Sequence, residues 1–160
     1  MRIAVPLGLA AAVALLTGMA QAAGSVQVRF IEPEKFADIR DASRRLDDNL
    51  ASLRQHLEQV AAPFVAEGQT LTIEVLDVDL AGRVEPARRP DDVRVLRGQP
   101  DWPRIHLRYV LQAGGATVRR GEAWVADMAY LERITPPNPG LGLAYERRML
   151  DEWFRAEFKR

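Results

Sequence analysis

The chain has 160 residues, with 22 basic and 22 acidic side chains, 48% apolar residues and no cysteine. That length suits one ordinary domain, the apolar share is too high for a disordered chain, and formal neutrality gives no reason to expect nucleic acid as a partner. Without cysteine there is no disulfide framework, thiolate nucleophile, iron–sulfur cluster or thiol-based zinc site, and two histidines, His56 and His106, are too few for an imidazole-rich metal centre.

Residues 1–22 have the form of a cleaved export signal. Met1-Arg2 supplies a positive start, and Ile3 to Leu16 is an apolar run interrupted only by Pro6 and Gly8. Ala20-x-Ala22 then fits a cleavage site. The run is shorter than the roughly 20 apolar residues a membrane span needs, and no basic stop follows it. No cysteine follows it either, which rules out a lipoprotein anchor. Removal of the signal leaves residues 23–160 with 21 basic against 22 acidic side chains and no second run of spanning length. The expected location is the periplasm, with secretion as the alternative, and a cysteine-free domain there must be held by core packing alone.

Ser25 to Glu32 alternates, with Val26, Val28 and Phe30 on one side, and predicts a half-buried strand ended by Pro33. A helix is predicted from about Asp41 to Ala62. Asp41 or Ser43 is placed to cap it, and Leu46, Leu50, Leu53, Leu57 and Val60 form its apolar stripe, with His56 at the boundary. Thr70 to Leu80 predicts a strand whose inward parity changes from Leu71, Ile73 and Val75 to Leu76, Val78 and Leu80. That change calls for a bulge near Val75-Leu76. Ala81 to Pro90 reads as an exposed loop, Asp92 to Leu96 as a short edge strand, and Gly98 to Pro103 as a rigid turn. Arg104 to Gln112 alternates with Ile105, Leu107, Tyr109 and Leu111 inward. Ala113-Gly114-Gly115 joins it by a tight hairpin to Ala116–Val125. After a proline-rich bend at 135–140, a last helix runs from about Leu143 to Phe158.

The order strand, helix, strand, strand, strand, helix predicts an α+β layer: a mixed or antiparallel sheet of four to five strands with both helices on one face. If the first two long strands are parallel, their crossover is right-handed. Residues 23–160 show no internal repeat and no second unit.

The chemical inventory is sparse. Asp77 and Asp79 are two apart, so their carboxylates share a side of a regular strand and are candidates for a hard cation or for acid and base work; equally, they could pair with arginines. Read as a calcium loop from Asp77, the stretch fails at position five (Ala81) and position twelve (Arg88). Asp101 and Asp127 complete the set of candidate acids. Trp102, at a rigid turn, either presents an indole to a ligand or folds back over the core, and Trp124 and Trp153 are expected in the core. The outward sheet face should carry Arg29, Arg104, His106, Arg108 and Arg119, opposed by Glu74. Clustered, these cations could hold an anionic small ligand; otherwise they form a solvated, ion-paired face. Ser25, Ser43 and Ser52 lie in no nucleophile elbow, and no glycine loop for phosphate is present. No cofactor is expected, while an acid-only hydrolase needs no sequence signature.

Three segments carry a family resemblance together: Leu76 to Gly82, Arg94 to Ile105 including Asp101-Trp102-Pro103, and Tyr145 to Phe154, with Ala126 to Leu131 fitting the same pattern. The chain resembles the small exported proteobacterial proteins grouped as domain of unknown function 3016. The resemblance spans residues 23–160 and implies a periplasmic or secreted location without implying an activity. The expected role is a non-enzymatic envelope protein that binds or assembles through its sheet face or edge, with another envelope protein as partner. An anionic-ligand or divalent-metal binder, or an acid-based hydrolase, built on Asp77, Asp79, Asp101 and Asp127 is the alternative.

Overall fold

The computed structural model describes residues 23–40, 46–85, 93–132 and 142–159. Strand β1 (Ser25–Phe30) leads through a short 3₁₀ turn to helix α1 (Leu46–Ala61), then β2 (Gln69–Asp79), β3 (Arg83–Glu85), β4 (Val93–Val95), β5 (Arg104–Ala113), β6 (Ala116–Ala126) and helix α2 (Ala144–Glu157). The main sheet has the order β1-β2-β5-β6. Its first pair is parallel and the other two are antiparallel. The fold is therefore α+β with a mixed four-stranded sheet, and the parallel β1–α1–β2 unit is the crossover that the opening pattern anticipated. The expected export signal, the helix caps Asp41 and Ser43 and the proline-rich bend lie outside the described residues.

Two elements differ from expectation. The segment read as an edge strand does not join the main sheet; β4 pairs antiparallel with β3 in a separate two-stranded ribbon. The first part of the stretch read as an exposed loop is in that ribbon or beneath it. Ala81 is buried, and a Cβ built on Gly82 would lie 2.4 Å from the Val95 carbonyl oxygen, so only glycine, here at φ 79°, admits the ribbon so close.

Alternation explains the rest. Val28, Leu71, Ile73, Val75, Ile105, Leu107, Tyr109, Leu111 and Val125 all point to one side of the sheet. There they meet Leu53, Leu57 and Ala61 of α1 and Met149, Leu150 and Phe154 of α2. Both helices thus cover one face. The register of β2 on β5 shifts between Val75 and Asp77, leaving Leu76 as the extra residue that the parity change required. The re-aimed end of β2 pairs with the segment after β1, Asp38 donating to the Val78 carbonyl and Leu80 to that of Asp38, both at 2.9 Å. Gly114 and Gly115, at φ 56° and 82°, make the two-residue turn between β5 and β6, a conformation that favours glycine at both positions.

Three side chains depart from their expected placing. Trp124 is 57% exposed, because Val125 takes the inward position and its neighbour must then face out on the edge strand. Trp153 is half-buried and packs edge-on against Tyr109, Phe154 and Phe158. His56 is buried rather than at a boundary, its Nε2 facing Asp151 Oδ1 at 3.0 Å and the Arg147 carbonyl at 3.1 Å. Among the described residues no helix is long and apolar enough to cross a membrane.

Candidate functional site on the open face of the sheet

With both helices on one side, the other face of the sheet carries the outward residues of four strands. Cross-strand register fixes who meets whom: Arg29 lies opposite Glu74, Glu74 opposite Arg108, Arg108 opposite Glu122, and His106 between Asp77 and Trp124. Facing residues in neighbouring strands sit within about 5.5 Å, so this register alone predicts ion pairs. Arg108 Nε donates to Glu74 Oε2, and His106 Nε2 donates to Glu122 Oε1 at 2.9 Å. Arg104 donates to Asp79 Oδ2 through Nε at 3.1 Å and Nη2 at 2.8 Å. Arg104, His106 and Arg108 therefore do lie on the uncovered face, and each is engaged by an acid.

Arg119 is not on that face. Residues 119, 121, 123 and 125 share the inward parity, and Arg119 reaches over the rim of the helical layer to Tyr109 and Glu157, its guanidinium 4.9 Å from the Phe158 ring centre. Gly121 makes room there: directly opposite Tyr109, it would place a Cβ only 2.7 Å from the phenol ring.

The most exposed part of the open face is aromatic. The imidazole of His106 stacks on the indole of Trp124, centroids 4.3 Å apart and planes at 7°, and Glu122 fixes the imidazole from beside it. This makes a flat platform on β6 whose indole is open to solvent. A shallow depression lined by Thr72, Glu74, Arg108, Val110 and Gln112 lies on the same sheet. Val118 in β6, and Met128 and Leu131 just beyond it, add exposed apolar surface.

The four candidate acids do not gather in one place, although two of them meet at one arginine. Asp77 Oδ1 accepts from the backbone amides of Ala37 at 2.7 Å and Val78 at 2.9 Å, which pins the segment beside the end of β2. Asp79 and Asp101 are both buried and share one cation. Arg83 approaches Asp79 Oδ1 at 3.5 Å through Nη1 and Asp101 Oδ1 at 3.2 Å through Nε. Asp127 accepts from the Ala129 amide and from Arg148 Nη2, tying the turn after β6 to α2. Trp102 is half-buried beside Asp101 in sequence. Among the described residues no group of three histidine or acidic side chains is placed to hold a metal ion.

A second polar cluster, absent from the sequence reading, lies at the ribbon end of the sheet. Arg94 of β4 makes a forked contact with Asp38, both bonds at 3.0 Å, and also donates to the carbonyls of Ala81 and Gly82. Glu146, in the first turn of α2, is fully buried and accepts from the Ala81 amide at 2.7 Å. Burial pushes its carboxyl above the usual range, against the pull of the Ala81 amide and of Arg94. These contacts hold the ribbon to both helical and sheet layers. Their chemistry is that of a structural joint, since every donor and acceptor named is spent on backbone or on an opposing charge.

In comparisons with known proteins, the model of a family described as protein of unknown function (DUF3016) matches residues 24–156. No curated protein and no solved structure matches the chain.

Proposed function

Because the chain belongs to the DUF3016 family, whose description names no activity, we propose its role from its own geometry: an exported cell-envelope protein that binds another envelope protein through the open face of its sheet. The observation that carries the reading is Trp124. An indole 57% exposed on an uncovered face, yet stacked on His106, which Glu122 in turn holds, is already ordered before any partner arrives. Aromatic anchors of this kind contribute disproportionately to protein interfaces because they add large contact area at little further entropic cost.

The alternative readings find less support. An anion-binding patch needs guanidinium groups with spare donors, whereas Arg104 and Arg108 are already turned to Asp79 and Glu74. A metal site or an acid hydrolase needs converging carboxylates, whereas Asp77 and Asp127 are each drawn to a different part of the chain. The apolar run Ile3 to Leu16 with Ala20-x-Ala22 supports export.

The test has two parts. Fractionation of cells making the full chain should find a shortened product in the periplasm; an intact product in the cytoplasm would refute export. Complexes recovered from the envelope with the native protein should be lost with Trp124→Ala although the variant stays folded, its melting temperature lowered by only a few degrees. Equal recovery would refute the face as the binding surface.

A further inference from the structure

The two edges of the sheet are treated differently. β1 is short, and Arg54 of α1 donates to its Val28 carbonyl, which occupies backbone that another strand would need. β6 runs for 11 residues, from Ala116 to Ala126, with neither proline nor lysine. Among the described residues nothing outside β5 bonds to its backbone within that span. Its register on β5 shifts at Val118, the extra residue of a bulge, and runs regularly from Arg119 to Ala126. That regular, unguarded stretch is a template for another strand.

The sequence of β6 says which strand. In an antiparallel pair, facing residues both turn their N–H and C=O groups toward the partner or both away. When a strand pairs with its own copy, the two-fold axis must therefore pass through a residue. With the axis at Gly121, Arg120 faces Glu122 of the second chain, and Glu122 faces its Arg120. An axis at Arg120 would instead oppose two arginines, and one at Glu122 two glutamates. Axes at Arg119 or Ala123 leave both charges without an opposite. Arg120 is exposed and has no ion pair among the described residues, so it is available for that contact.

We infer that this protein forms a two-fold symmetric dimer by antiparallel pairing of β6 with β6 of a second copy, centred on Gly121. The occupant of the edge is the protein itself, and the two sheets become one of eight strands. The contact is isologous, so it closes at two chains and cannot propagate into fibres. It also brings the two Trp124 platforms onto one continuous open face. The inference goes beyond the binding role proposed above and does not depend on it.

The chain has no cysteine, which permits a register-specific test. Facing residues of an antiparallel pair have Cα atoms within about 5.5 Å, inside disulfide range, whereas residues displaced by two positions lie beyond about 7 Å. A mixture of Arg120→Cys and Glu122→Cys proteins under mild oxidation should give the cross-linked dimer, and each protein alone should give little. In parallel, sedimentation should find the native protein dimeric. Arg120→Glu and Glu122→Arg should each weaken association about tenfold, since the altered contact occurs twice and sets like charges together. The double reversal should restore it. A native protein that stays monomeric over the range where it remains soluble would overturn the inference. So would single-cysteine proteins that cross-link as readily as the mixture, because the axis would then lie elsewhere. The cysteine pair keeps the test decisive should Glu122→Arg fail to fold.

Discussion

The imidazole of His106 lies flat against the indole of Trp124, ring centres 4.3 Å apart, on the side of the sheet that neither helix covers. One ring is drawn from β5 and the other from the edge strand β6, so the stack also clamps the edge to the sheet. An aromatic pair of this kind is worth about 0.5–1.5 kcal/mol beyond the area it buries.

Trp124→Ala should therefore cost only about 1 kcal/mol of stability. Urea titration measures it. A loss several times larger would mean that the indole supports the fold rather than presenting a surface.

Gly121→Ala should be worse, although it adds a single methyl group. The new Cβ would meet the Tyr109 ring at 2.7 Å, and overpacking of this order costs about 1–3 kcal/mol. Pairing it with Tyr109→Leu should recover most of the loss. If the pair is no better than the single change, the contact is not what fixes Gly121.

Arg104 and Arg108 look alike in the sequence but should respond differently. Arg108→Gln removes a partner of Glu74 at the surface and should cost less than about 1 kcal/mol. Arg104→Gln leaves the buried Asp79 carboxylate with only the more distant Arg83 and should cost about 1–3 kcal/mol. Equal melting temperatures for the two variants would contradict this.

Much of this architecture was legible in the chain. The 2-residue period of β1, β2 and β5, the parity change at Val75 and the glycine pair at 114–115 each have a local cause, and each appears where the pattern placed it. The outward turn of Arg104, His106 and Arg108 followed from the same period. What local pattern could not carry was pairing across distance. That β4 joins β3 rather than the main sheet depends on the close approach admitted by Gly82 and on the fork from Arg94 to Asp38, contacts spanning 13 to 56 positions of the chain. Residue type places Trp124 in the core, although the alternation of its own strand turns it outward. Applied to β6, the same parity would have found Arg120, Glu122 and Trp124 together.

Two buried groups give opposite pH dependences. Glu146 is held above its ordinary 4.5 by burial, so the stability it contributes is whole below pH 4.5 and is lost as pH rises through its folded value. His56 is held below its ordinary 6.5, again by burial before any pairing with Asp151. Its contribution is whole above pH 6.5 and is lost as pH falls toward its folded value. Glu146→Gln keeps an acceptor for the Ala81 amide and should raise the urea midpoint at neutral pH while flattening the decline on the alkaline side. His56→Gln should flatten the decline on the acid side. Unchanged slopes would place the pH dependence in other groups.

The central claim is that the uncovered sheet face is the working surface, and in-cell photo-cross-linking tests it most directly. A photoreactive residue replacing Val110, on the outer side of β5, should trap a discrete partner, and the same residue replacing Arg155, on the solvent side of α2, should not. Adducts of the same kind and yield from both positions, or adducts from Arg155 alone, would show that this protein meets its partner through its helices.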